Sequence, residues 1–336
     1  MLTRDTVKSK IGIDAAISQE MLDALQMWSS MYKNQAEWLN NDIRSLNLPA
    51  AVSGELANLV TVEMSANITG DKRAEYLKTQ MDKVIPKLRQ MIEYGNAHGG
   101  LMFKPFPSGK EIDVEFVQAD RFMPISFDAN GNITSCVFID QRTRGKDFYT
   151  RLEWHTFSAA LKSVTIKNLA YRSSINSVEL GSQISLKELE PWAGLQPEAT
   201  VTNVKAPLYG YYRFPLANNI DTSSPLGVSC FSRAVDLIKQ ADTLWSHLLW
   251  EFESGKRAIF ADVLAFDRDE DGNPKLPDKR LYRALANSTN TIGEDGFFHE
   301  FTPEFREASI LSGRDAILKK IEYNCGLAYG TISDPQ

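Results

Sequence analysis

The chain has 336 residues, 43% apolar and 24% charged, a balance that suits a folded protein and excludes wholesale disorder. Its 37 Lys and Arg against 43 Asp and Glu leave a net charge of −6, which argues against a protein that coats DNA, because such proteins are basic. Cys136, Cys230 and Cys325 are few, odd in number and far apart, so they set no disulfide framework and suit a reducing compartment, as small buried hydrophobes. MLTRDTVKSK lacks the apolar run of a leader, and no stretch reaches the roughly 18 apolar residues of a membrane span, so a soluble, cytosolic chain with no membrane partner is expected.

Residues 1–97 read as helical. From Ile13 to Trp38, Ile13, Ala16, Leu22, Leu25, Trp28, Met31 and Tyr32 recur mostly at three- and four-residue steps. Pro49 suits a first helical position, followed by Val52, Leu56, Leu59 and Val60. A third helix begins near Asp71, with Leu77, Met81, Val84, Ile85, Leu88 and Ile92 on one side and Gly95-Asn96 as its expected C-cap. Pro86 inside it is expected to kink or split it, because its ring blocks a backbone bond.

Residues 98–222 read as mainly antiparallel β. Ile112, Val114 and Phe116 alternate with Asp113 and Glu115. Asp128–Asn132 is a turn, with Gly131 free to take positive φ, and Ile133 to Asp140 returns as a strand, forming a hairpin. Phe148, Thr150, Leu152, Trp154 and Thr156 alternate again, as do Val164 and Ile166, while 173–204 has poor periodicity and reads as loops.

Residues 223–255 read as one long helix, with Ser224 as N-cap, Pro225 in the first turn and a stop at Gly255. Phe231, Val235, Ile238, Ala241, Trp245, Leu249 and Phe252 recur along it, widened by Leu237, Leu244 and Leu248. About 28 residues make a rod of roughly 40 Å. An apolar face so broad needs extensive partners, such as neighbouring subunits. Ala258 to Phe266 follows as a strand, 267–278 as turns, and Arg306 to Leu327 as a helix. The fold class is therefore α+β.

No catalytic signature appears: no Walker A, GxGxxG, GxSxG, HExxH or paired CxxC. Asp267, Asp269, Asp271, Gly272 and Asp278 match calcium-loop spacing, but a strand precedes them, Pro274 interrupts the loop, and an Asp stands where the longer Glu belongs, so a solvated turn is expected and no metal. His98, His155, His247 and His299 show no ligand spacing, and His247 reads as structural. Asp113 and Glu115 could in principle serve a hydrolase that uses two carboxylates, but the alternation marks them as a solvent face. Trp154, Tyr149, Trp192, Tyr209, Tyr211 and Tyr212 could stack on sugars or bases, yet such residues more often fill a core or an interface. Lys256-Arg257, Lys279-Arg280-Arg283 and Lys319-Lys320 are modest basic clusters, each more often a solvated face. No cofactor is expected.

Several stretches together resemble the portal proteins of long-tailed phages that infect Gram-positive bacteria. They are MWSSMYKNQAEWL at 27–39, LNLPAAVSGELANLVTVEMSANITG at 46–70, YGNAHGGLMFKPF at 94–106 and FVQADRFMPISFDANGNITSCVFID at 116–140. The longest is YYRFPLANNIDTSSPLGVSCFSRAVDLIKQAD at 211–242, running on to WEFESGKRAIFADVLAF at 250–266, and AYGTISDP at 328–335 closes the set. The sharpest local mark is Pro225-Leu226-Gly227-Val228-Ser229.

The resemblance implies a non-enzymatic ring subunit, about twelve to a ring, at one capsid vertex. Such a ring assembles in the host cytoplasm, joins the virion, passes double-stranded DNA, and meets the terminase large subunit, capsid and scaffolding proteins, and head-completion or adaptor proteins. It implies a wing made of a helical part (1–97) and a β-rich part (98–222), then a wing-to-stem helix (223–255). A clip-like segment (256–305), and a returning stem helix with the start of a tunnel loop (306–336), follow. Lys256, Arg257, Lys279, Arg280 and Arg283 are the residues to examine for contact with DNA or motor. The ending at Gln336 departs from the family pattern, which continues into a tunnel loop, another long helix and a crown; a C-terminally truncated chain is expected. The alternatives are a carbohydrate-active or other hydrolase with an unmarked carboxylate pair, or another virion adaptor.

Overall fold

The computed structural model describes residues 4–175, 177, 179–254, 258–262, 267–268, 271, 273–275, 282–285, 298–301 and 306–334. The chain forms two compact units. The first comprises Met1–Leu39, Asn47–Val235 and Asn324–Leu327; the second comprises Asn40–Leu46, Asp236–Tyr323 and Ala328–Gln336. Helices and mostly antiparallel sheets occur together, which is the α+β class expected.

In the first unit, α1 (Arg4–Ile11) precedes α2 (Gln19–Tyr32). The hydroxyl of Ser18 accepts from the Met21 N–H, so α2 starts there and not at Ile13, which is exposed. Met21, Leu22, Leu25, Trp28 and Met31 form its buried face. Helix α3 (Leu48–Thr61) carries Pro49 in its first turn, as the sequence suggests. Of its expected apolar face only Val52 is fully buried; Leu59 and Val60 are exposed.

Helix α4 (Lys72–His98) starts at Asp71, whose carboxylate accepts from the Arg73 and Ala74 N–H groups at 3.0 and 3.3 Å. Pro86 does not split α4, which runs through it with Pro86 at an exposed position. The helix also does not end at Gly95-Asn96 but caps at Gly99, whose φ of +81° is the left-handed conformation. Gly95 lies inside the helix, and the Tyr212 ring packs 2.9 Å from where a Cβ would stand, which leaves no room for a side chain there. Asn96 is held by tertiary bonds, accepting from the Tyr212 hydroxyl at 2.7 Å and donating to the Ser53 carbonyl at 3.3 Å.

Strands β1 (Gly100–Ser108), β2 (Glu111–Gln118) and β9 (Gly210–Arg213) form one sheet in the order β2-β1-β9. A larger sheet runs β3 (Phe122–Phe127), β4 (Ile133–Arg144), β5 (Asp147–Ser158), β6 (Ser163–Ser174) and β7 (Ser182–Ile184), with β8 (Glu198–Thr202) also on β6. The expected hairpin is thus two. The strand at 112–116 belongs to β2 and pairs with β1, whereas the turn at Asp128–Asn132 joins β3 to β4. That turn forms as read: the Asp128 carboxylate accepts from the Asn130 and Asn132 N–H groups, and Gly131 has φ +79°. The stretch 173–204, read as loops, contributes β7 and β8, and its Leu186, Leu189 and Trp192 pack on Tyr149 and Ala170 of the sheet.

The long helix starts later than expected. Helix α5 spans Val235–Ser254, 20 residues, so it measures roughly 30 Å. Ser224 and Pro225 do not open it. Leu226–Phe231 instead crosses the core in a non-helical conformation and is buried. Cys230 donates its N–H to the Asn96 carbonyl at 2.9 Å and Gly227 donates to the Tyr211 hydroxyl at 3.1 Å, bonds that a helix through 225–234 would forgo.

The second unit contains α5, a three-stranded sheet in the order β11 (Tyr282–Leu285), β10 (Ala258–Asp262), β12 (Phe298–Phe301), and α6 (Glu307–Cys325). β10 runs parallel to β11 and antiparallel to β12. Asp242 and Ser246 of α5 hold the segment 40–46, accepting from the Leu46 and Arg44 N–H groups at 2.8 Å each.

Candidate functional site

In the second unit, α5 and α6 meet across a long excursion of the chain. Glu251, in the last turn of α5, accepts from the Arg306 backbone N–H at 3.3 Å, from its Nε at 3.1 Å and from its Nη2 at 2.9 Å. The two residues are 55 apart in sequence. Arg306 immediately precedes α6, so one carboxylate both grips a guanidinium fork and caps the next helix. The Arg306 bonds hold the Glu251 carboxyl below the usual carboxylate range. This clasp closes the base of an excursion that carries β10, β11 and β12.

At its other end, α6 holds the segment after it. Buried Glu322 accepts from the Ile332 and Ser333 N–H groups at 2.7 and 2.9 Å, from the Ser333 hydroxyl at 2.8 Å and from the Gly330 N–H at 3.3 Å. Burial alone would raise its pKa; the bonds outweigh it and hold the carboxyl below its usual range. The exposed side of α5 carries Trp250, 62% exposed, and Phe252, beside a groove of about 650 Å³ lined also by His247, Leu249, Ile43 and Arg44. His247, read as structural, is therefore solvent-facing.

The first unit holds a buried charge network. Lys104 of β1 reaches across to Glu153 of β5 at 3.0 Å and so ties the two sheets together. Its ammonium also meets Glu115 at 2.8 Å and lies 4.8 Å from the Phe138 ring centre. Glu153 further pairs with Arg151 at 3.0 Å and with His155 Nε2 at 2.7 Å. Burial pushes the Glu153 carboxyl up, but His155, Lys104 and Arg151 bring it down to about 2. Sequence reasoning missed this network. Its signal was present: Arg151, Glu153 and His155 sit at alternate positions of the same strand whose Leu152 and Trp154 mark the other face.

The sequence candidates fall as follows. Lys256, Arg257, Lys279 and Arg280 lie outside the described residues, and Arg283 sits on β11. Of the calcium-like set, Asp269, Gly272 and Asp278 lie outside the described residues too; around Asp271 the chain closes on itself through an Arg268–Pro274 bridge and a Lys275 N–H donated to the Asp267 carbonyl at 2.6 Å. Glu115 is neutralised by Lys104 and Asp113 sits partly buried two residues before it, so the two do not flank a cleft as a free acid–base pair. Tyr149 and Trp192 are core, Trp154 donates to the Ser135 hydroxyl at 2.8 Å, and burial raises the hydroxyls of Tyr209, Tyr211 and Tyr212. Lys319 pairs with Asp315 at 2.9 Å along α6. Among the described residues no helix is long and apolar enough to cross a membrane, and no group of three metal-ligating side chains occurs.

No protein-family model and no curated protein sequence matches the chain. Among solved structures it is similar to a chain of one described as "Neck of native GTA particle computed with C12 symmetry", with a TM-score of 0.39 and 12% identity over 98% of this chain and 76% of that one. At that level of likeness neither fold nor function transfers.

Proposed function

We propose that the chain is a structural subunit of a phage portal ring, a conduit for double-stranded DNA that works with a terminase and with head-completion proteins and has no catalytic residue of its own. The observation that carries this reading is the second unit: a long helix, a small sheet and a returning helix, clasped by Glu251 and Arg306. That is the order that the resemblance expects of wing-to-stem helix, clip and returning stem helix. The exposed Trp250 and Phe252 on α5 support it, since large apolar residues on a helix face suit contact with neighbouring subunits. The net charge of −6 suits a channel that must let phosphate slide past. In this reading Lys256, Arg257, Lys279, Arg280 and Arg283, in and around the clip-like segment, meet DNA or motor.

Gel filtration with light scattering and negative-stain imaging tests it. Rings of about twelve subunits bear it out. A monomer at every salt and concentration sinks it.

A further inference from the structure

We propose that the distal end of β4, residues 139–144, is a docking edge for an extended acidic peptide segment of another protein, added as a strand beside β4 and held by Arg142, Arg144 and Lys146. The inference concerns the first unit alone and does not depend on the ring reading.

Strand β4 has two neighbours only along part of its length. Its ladder with β3 ends at Phe138, opposite Phe122, whereas its ladder with β5 continues to Arg144, opposite Asp147. From Ile139 onward one side of β4 has no strand beside it. Among the described residues no other backbone group bonds to 139–144, and Gln141, Arg142, Thr143 and Arg144 are all exposed. Free N–H and C=O groups alternate along such an edge, and another extended backbone satisfies them in full.

The side chains decide what kind of strand fits. Arg142 and Arg144 lie on one face, about 6.8 Å apart along the strand. Carboxylates at alternate positions of an added strand fall at the same spacing. Lys146 follows in the turn and Arg172 of β6 lies on the Arg142 row, through Tyr149. Arg142 Nε is 3.3 Å from Asp140 Oδ2, but that oxygen also accepts from Trp192 Nε1 at 2.9 Å and has Arg151 at 3.7 Å. Arg142 can therefore turn to a partner without leaving Asp140 bare. The same arginines repel a second copy of this edge and so select against self-pairing. Duplex DNA is the poorer fit: three cations on one hairpin tip neutralise few phosphates, and Asp147 and Glu188 stand close by.

The test uses the full chain and a fluorescein-labelled peptide with a Glu-Val-Glu-Val-Glu core, read by fluorescence anisotropy. Controls are the same peptide with Gln for Glu, with Pro for both Val, and a labelled 20-base-pair DNA duplex. The Glu peptide binds; the Gln peptide and the Arg142→Glu/Arg144→Glu variant each lower affinity by about tenfold or more; the Pro peptide loses binding. The variant must keep the parent's circular dichroism and melting curve, which two exposed positions permit. Equal binding of the Pro peptide, binding of the duplex without the Glu peptide, or no binding of the Glu peptide at about 1 mM overturns the proposal.

Discussion

Glu153 shows how one residue can join two sheets. Its carboxylate serves Lys104, Arg151 and His155 where Lys104 and Arg151 have little access to water. Glu153→Gln keeps the shape and removes the charge, which leaves two buried cations poorly compensated. A loss of about 3–5 kcal/mol at pH 7 is expected in urea unfolding. The pH dependence has a definite sign. The folded carboxyl titrates near 2, below the ordinary value of 4.5. Its contribution is full above 4.5 and fades as pH falls toward 2, about 3 kcal/mol in all. The parent and Glu153→Gln curves should therefore converge on acidification; parallel curves from pH 6 to 2 would refute this. His98 acts in a higher window with the same sign. Burial lowers its pKa, against the pull of the Tyr94 carbonyl and Asp120. The unfolded chain thus takes up the proton first, and stability declines as pH falls below about 6.5. Alternation alone assigns Arg151, Glu153 and His155 to solvent, because it cannot tell water from a second sheet packed on that face.

Elements formed where local chemistry was sufficient and shifted where tertiary contacts outweighed it. Asp71 as a cap, the Asp128–Asn132 turn and the start of α3 at Pro49 needed only neighbouring residues, and all were legible. Strand β1 carries Pro105 and Pro107. Both lie beyond the part paired with β9, which covers Gly100–Phe103, so neither interrupts a two-sided ladder. The Ser-Ser-Pro before α5 carries every local mark of a helix start, yet Leu226–Phe231 is buried without being helical. Gly227 explains why: a Cβ there would stand 2.0 Å from the Gly99 carbonyl oxygen, against backbone that cannot turn aside. Gly227→Ala should cost about 3 kcal/mol or more and lower the melting temperature by several degrees. Gly210→Ala, on β9 with nothing within 4 Å of the added carbon, should fall within about 0.5 kcal/mol of the parent. Equal effects at the two positions would refute the close-approach account. The Glu251 clasp predicts a local change. Glu251→Gln keeps the cap and loses the ion pair, so hydrogen exchange should quicken in the first turn of α6 while the first unit keeps its protection.

For the whole molecule, each unit meets a different demand. The first is tied internally by Lys104–Glu153 and by the crossing of 226–231 against α4; the second leaves a large aromatic in water on its longest helix. Trp250 is 62% exposed, with Phe252 two residues on and a groove beside it. An aromatic that a monomer does not need for its core is a natural anchor for a neighbour. Trp250→Asp separates the two possibilities. Its side chain supports little of the monomer's packing, so the melting temperature of the dilute protein should stay within a few degrees of the parent. If the proposed ring forms through α5, its assembly should fail, because the charge would have to be buried between subunits at a cost of several kcal/mol at each contact of a closed ring. Light scattering at matched concentration reads the outcome directly. Intact rings from Trp250→Asp would remove α5 from the subunit contact and move the search to the exposed Leu59 and Val60 of α3.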